Sequence, residues 1–342
     1  MIRARNIQTG RNMRYFGLWF LIVAFLICLQ ACGQADTGSE SGASGESGAS
    51  GIPTTLNYGY IGSNKLNLPG GAEGWGFYTG IIQEELKKHG ITEVTFTGFP
   101  NGPDQTESLI SGRLDFGSLG DTPAIIARST GAPTRLISQG TVGSIGYLIA
   151  KKDGPTKLED LKGKTVATQK GSFHHRFLAG LLKKHNITDV NIVHLLRPDG
   201  EAALARGEID AMTNTGVYAL QQINQGYLLL DDASKNPELL GTSATVATEK
   251  YLKQFPEFPK VWNEALQKAY KDLLANEEKY YEFIAQVYNS TVELVKQAHP
   301  ISQIQDKPFT DEGLKLMEGT KRFLIEDKLA DQDFNLNDWI IK

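Results

Sequence analysis

"ESLISGRLDFGSLGD", residues 107–121, and "AALARGEIDAMTNTG", residues 202–216, decide the fold. Each runs from an apolar helical end through a glycine-containing stop and an acid into a strand that finishes in small polar residues. A segment that occurs twice in this form marks two similar α/β units in one chain.

Around the first copy the alternation is regular. "TTLNYGYIG", residues 54–62, reads as a strand, and Ser63–Gly76 reads as a glycine-rich loop. "FYTGIIQEELKKHG" reads as a helix stopped by Gly90, "VTFTGF" as a strand and "DQTESLISGRLD" as a helix closed by Gly112. In "TPAIIARSTG" Thr122 is placed to cap a helix and Pro123 suits its first position. "TRLISQGT" and "GYLIAKK" read as strands. The pattern restarts with "KLEDLKGKTVATQKGSFHHRFLAGLLKKHNI" and continues through "VNIVHLL" and "GYLLLDD". Residues 242–256 begin as a strand and turn helical, and the rest is mostly helical. Strands alternating with helices at this spacing predict an α/β fold with largely parallel sheets. Two such lobes would face the carboxyl ends of their strands across a cleft, where open α/β sheets bind ligands.

The N-terminus predicts export. Residues 1–14 carry four arginines and no acid, and "YFGLWFLIVAFLICLQA", residues 15–31, is apolar. The alternative is a single membrane-spanning anchor. "LQACG" resembles the lipobox of bacterial lipoproteins, which implies a signal peptide of residues 1–31 and a lipid of the palmitate kind on Cys32. Residues 33–51, dense in glycine and serine, cannot bury enough surface to fold and form a tether, so residues 32–53 hold the body at a membrane face. Cys28 and Cys32 are the two cysteines, so the body has no thiol for catalysis, for a disulfide or for a thiolate metal site. The formal charge is −4, and removing four arginines leaves −4 − 4 = −8, which argues against nucleic acid as a partner.

"LDFGSLGDTPAI", then "KLEDLKGKTVATQKGS" with "FHH", then "AALARGEIDA" stand in an order that resembles solute-binding proteins of ABC importers for aliphatic sulfonates, taurine and nitrate. The resemblance implies a Venus-flytrap of the type II periplasmic-binding-protein fold. Lobe 1 is then residues 54–146 plus 245–342 and lobe 2 residues 147–244, with hinge crossings near 146–151 and 242–248. It also implies a permease and its ATPase as partners, a monomeric body and no cofactor.

"GSLGDTP" and "QKGSFHH" are strand-to-helix turns, one per lobe, and a helix start with free N–H groups suits an anion. Ser118, Thr122, Ser144 and Ser172 add neutral hydroxyl donors, although Thr122 and Ser172 also suit plain caps. The resemblance places Gly120, Asp121 and Ser172 at the pocket, with His174 preferred to His175. Asp121 fits either a capping role or an ammonium group on a zwitterion such as taurine. Lys170, Arg176 and Arg197 read as solvated faces, Arg197 being the best candidate for a cleft cation. Trp75 begins an aromatic group with Phe77 and Tyr78 that either packs on the core or walls an apolar tail of the ligand, and Phe173 could serve as such a wall too. Relatives carry a Trp-rich or acidic stretch after "EIDA". Here Thr213 and Asn214 stand there, and they predict hydrogen bonding instead of stacking. Two adjacent histidines do not make a metal site. An enzyme on the same scaffold, of the kind that makes the thiamin pyrimidine, and a sensory receptor are the competing functions.

Overall fold

The computed structural model describes residues 51–341. The leader, the lipidation position Cys32 and the tether up to residue 50 lie outside the described residues. Among the described residues no helix is long and apolar enough to cross a membrane.

The first lobe is built from β1 (Thr55–Ile61), α1 (Gly71–Tyr78), α2 (Ile81–Lys87), β2 (Glu93–Phe99), α3 (Gly102–Ile110), β3 (Phe116–Gly120), α4 (Asp121–Ser129), β4 (Thr134–Ser138) and β5 (Val142–Ser144). The chain then enters the second lobe. This comprises β6 (Gly146–Ala150), β7 (Thr165–Thr168), α5 (Phe173–Lys184), β8 (Asn191–His194), α6 (Arg197–Arg206), β9 (Ala211–Thr215), α7 (Gly216–Asn224) and β10 (Leu228–Asp232). It returns to the first through β11 (Gly241–Thr248). The tail follows as α8 (Glu249–Gln254), α9 (Phe258–Ala275), α10 (Glu277–Tyr288), α11 (Val292–Ala298), α12 (Asp311–Glu326) and α13 (Leu336–Trp339).

The two sheets have one plan. The first runs β2-β1-β3-β11-β4 and the second β8-β7-β9-β6-β10. In each, four strands point one way and the fourth position holds an inverted strand, β11 or β6. The sheets are therefore mixed, where the helix-strand alternation predicts largely parallel ones. The inverted strands are the two that follow the passages between lobes. Gly241–Thr248, near which a hinge crossing is expected, pairs β5 at its first two residues and β3 and β4 from Ser243 onward. Its Ala244–Val246 segment is buried between β3 and β4, and a break there would strip the ladder from both neighbours.

The tail builds the first lobe's core. On one face Trp262 of α9 packs on Phe116 at 4.7 Å between ring centres, and Tyr58 and Phe77 complete the cluster. On the other, Met317 and Leu324 of α12 and Trp339 meet Leu109, Ile125 and Val246. Burying each such side chain contributes roughly 1.5–3 kcal/mol.

α1 departs from the sequence reading. Residues 71–76, taken as loop, are helical, and left-handed Gly80 separates α1 from α2. The glycines serve close approach. A Cβ at Gly74 would lie 1.9 Å from the Pro69 carbonyl oxygen, and one at Gly76 would lie 2.7 Å from Ala269. Composition alone does not separate a packing glycine from a loop glycine.

Candidate functional site

The strand ends of the two sheets meet across a cleft. Phe173 of the second lobe lies against Gly120 of the first, and Gly171 lies against Pro103. Three of the strand-to-helix turns at these ends treat their polar groups differently.

The β3–α4 turn is locked to the hinge. Asp121 is fully buried, and its carboxylate accepts from the Thr122 amide at 2.5 Å, the Thr122 hydroxyl at 3.0 Å, the Thr242 amide at 3.1 Å and Thr320 Oγ1 at 3.3 Å. Opposite it, at 3.7 Å, stands Arg176 of α5, itself buried. The guanidinium donates to Leu240 O at 2.8 Å, Leu239 O at 3.3 Å and Thr122 Oγ1 at 3.3 Å. Asp121 and Thr122, expected at the ligand, thus form a lobe-to-lobe clamp beside the returning strand. Arg176, expected on a solvated face, is its cation. The signal was present in the sequence: Arg176 sits on the stripe that also holds Ser172, Phe173 and Gly180, so its helical position faces inward.

The β7–α5 turn is closed on itself. Ser172 caps α5, accepting from the His174 amide at 3.2 Å while donating to Gln169 O at 2.6 Å. Phe173 packs on both passages between lobes: Cβ atoms at Gly146 and Gly241 would meet its ring at 3.3 and 2.8 Å. His175 accepts from the Gly171 amide at 3.4 Å. His174 turns away from it toward Arg197. Its Nδ1 is shut from solvent without a partner, and burial first, then the Arg197 charge, lowers its pKa to about 4.

The β9–α7 turn is open. Thr213 pairs with Thr168 at 2.8 Å inside the second sheet. The Asn214 amide donates to Gln222 at 2.9 Å and Glu201 at 3.2 Å, so both expected ligand contacts are already engaged within their lobe. No side chain caps α7, whose N-cap is Thr215 and whose first residue, Gly216, sits at φ 52°. Beyond it, Val217 is buried among Trp75, Leu273, Tyr280 and Phe283 of the first lobe. Tyr218 carries Arg197 over its ring at 3.6 Å and meets the edge of Tyr288 at 5.8 Å.

The first lobe supplies acid and hydroxyls. Glu73 of α1 accepts from Tyr58 at 2.5 Å, Ser118 at 2.7 Å and Thr245 at 2.9 Å. Burial raises its pKa and the three hydrogen bonds oppose the rise. Ser118 therefore answers to a carboxylate already in place. Trp75 is a core residue: its Nε1 donates to Asp272 at 2.8 Å, and Tyr280 and Phe283 lie against its ring at 6.0 Å. Ser144 is half-buried in β5, its backbone paired with Gly241. Among the described residues no cluster of histidine, cysteine and acid is placed to hold a metal.

Arg197, Tyr218, Tyr288 and His299 form a contiguous group at the start of α7, and the Arg197 charge reaches His174. Tyr288 and His299 come from the tail, where no motif announced them. The lone acid of "PGGAEGWGFY", Glu73, was visible among glycines and aromatics but was not singled out.

Residues 75–279 match the family described as "NMT1/THI5 like". The chain belongs to the NMT1/THI5-like family. It is 26% identical over 271 residues to the "Putative aliphatic sulfonates-binding protein" of Bacillus subtilis (strain 168), covering 76% of this chain and 79% of the relative. The alkanesulfonate-binding protein SsuA from Xanthomonas axonopodis pv. citri, bound to MOPS, has the same fold. Its TM-score is 0.69 at 21% identity, over 84% of this chain and 98% of that one. The desulfurization enzyme DSZB shares it at a TM-score of 0.66 and 16% identity, over 84% and 96%. The fold is the two-lobed periplasmic-binding-protein architecture, and it carries both binding proteins and an enzyme.

Proposed function

We propose that this protein is the solute-binding subunit of an ABC importer. It captures a small anionic solute, an aliphatic sulfonate first among the candidates, in the interlobe cleft and presents it to a permease and its ATPase. One observation carries the anion reading: the start of α7, which no side chain caps, lies beside Arg197, whose guanidinium rests on Tyr218 of that helix while pairing with Glu201 at 3.3 Å. A bare helix start carries about half a positive charge, and with an arginine beside it becomes a field for an anion. The sulfonate-binding name of the B. subtilis relative points to the same class.

The second lobe presents the helix start, His174 and Arg197 with its partner Glu201, and the first lobe holds Glu73 under its own hydroxyls. The anionic head therefore sits toward the second lobe, and Ser144 lies between the lobes near the organic part. The body is exported, carried as a monomer on a lipid at Cys32, and needs no cofactor.

Thermal-shift titration of residues 53–342 with alkanesulfonates, taurine, nitrate, phosphonates, carboxylates and pyrimidines tests the reading. A solute at 100 times its Kd adds about 2.7 kcal/mol to the folded state. Stabilisation by a sulfonate is expected. Stabilisation only by neutral or cationic compounds overturns the anion assignment. Conversion of a bound compound on long incubation would establish the enzyme alternative, which DSZB shows this fold can support.

A further inference from the structure

His299 follows α11 and belongs to the first lobe's tail, yet it reaches the second lobe. Its ring stacks on Tyr288 with centres 4.6 Å apart and planes 14° from parallel. A Cβ at Gly216 would stand 2.9 Å from its Nε2 and Cε1. That Nε2 is shut from solvent and has no hydrogen-bond partner among the described residues. Its neighbour in the second lobe is the start of α7, which no side chain caps.

A buried nitrogen without a partner is costly, and most folds remove such a cost by rotation or substitution. Here the ring is held between Tyr288 and the start of α7. A side chain at 216 would have to displace the His299 ring, and the left-handed φ there already favours glycine. Both features fall into place if the nitrogen's partner arrives with the solute.

We propose that His299 is a specificity-determining contact of the solute site. It donates from Nε2 to the anionic head group while the first amides of α7 and Arg197 hold the same group from the second lobe. Tyr288 is its positioning residue. This rests on the anion-binding reading above. Donors arriving from two lobes favour a pyramidal head with three oxygens, such as a sulfonate, over a flat carboxylate with two. A neutral imidazole adds a hydrogen bond without a second full charge, which keeps release possible.

The test uses calorimetric titration with ethanesulfonate and butanesulfonate as probes, and butanoate as the carboxylate control. The proteins are wild type, His299→Ala, His299→Gln and Gly216→Ala. Glutamine places an N–H donor near the position of Nε2. Sulfonate affinity is expected to fall about tenfold or more in His299→Ala, the loss of one donor to a charged group. It should recover to within about threefold of wild type in His299→Gln, with butanoate binding weakly throughout. Gly216→Ala should lose affinity as His299→Ala does. Equal affinity of wild type and His299→Ala overturns the role of His299 and leaves the transport reading standing. Equal losses in the alanine and glutamine variants also overturn it, since they mark packing on Tyr288 and not donation. Wild type that binds neither sulfonate overturns this inference together with the function it rests on.

Discussion

The turns that open α5 and α7 are neighbours in one sheet, and they are built in opposite ways. At α5, Ser172 accepts from one amide and donates its only proton to a carbonyl, so its hydroxyl has no donor left for an anion. At α7 the cap position makes no side-chain bond, and a glycine opens the helix. The serine-bearing turn looks more like a binding motif in the sequence, and it is the closed one. A hydroxyl at a helix start is evidence for a ligand only after its local hydrogen bonds have been counted. The same holds in the first lobe, where Asp121 and Thr122 serve the hinge clamp.

The contrast between closed and open turns is breakable at several points. The largest effect should come from the clamp. Arg176→Met leaves Asp121 buried without its cation, and a loss of about 3–5 kcal/mol in urea unfolding is expected. The double variant with Asp121→Asn should regain part of this. A loss below about 1 kcal/mol in the single variant would show that the pair is not closed in solution.

Acid should have the next largest effect. His174 and His299 are both held to a pKa of about 4, by burial first and, for His174, also by Arg197. An unfolded histidine titrates near 6.5, so between these values the unfolded chain binds protons that the folded chain refuses. Stability is therefore complete above about pH 6.5 and falls as the pH drops toward 4, by up to about 2–3 kcal/mol for each histidine. Melting temperatures from pH 7.5 to 4.5 check the slope, and His174→Gln should flatten it. An unchanged slope in that variant would place His174 in water.

Ser172→Ala should have the smallest effect, about 1 kcal/mol of stability from the lost cap. Solute affinity should stay within about twofold, because the hydroxyl serves α5 alone. A tenfold loss of affinity at unchanged stability would return Ser172 to the site and erase the distinction between the turns.

Much of the fold was legible, because repeated local signals agreed with one another. Helix, glycine stop, acid and strand recur at Leu109–Phe116 and Leu204–Met212, and both copies lead to the third strand of their sheet. The inverted strand in each sheet was not legible, since pairing direction is set by where the chain returns from and not by the residues of the strand. The site was less legible than the fold. Gly216 was noticed only as a small residue, because its partner His299 lies far along a tail without motifs. Arg176 was misread because a single charge on an inward stripe needs its partner in view, and Asp121 is supplied by the other lobe.

The inverted strand of the first sheet bears on how the protein is made. β4 joins that sheet only through β11, which follows the entire second lobe. Until Gly241–Thr248 has left the ribosome, β3 and β4 are exposed edges, and the first lobe has neither its sheet nor the α9 and α12 helices that cover it. More than two thirds of the chain is therefore synthesised before its N-terminal lobe can close. A polypeptide with this wiring stays threadable for most of its synthesis, the condition in which a protein passes through a narrow export channel. Its native state is sealed last, by residues from the far end.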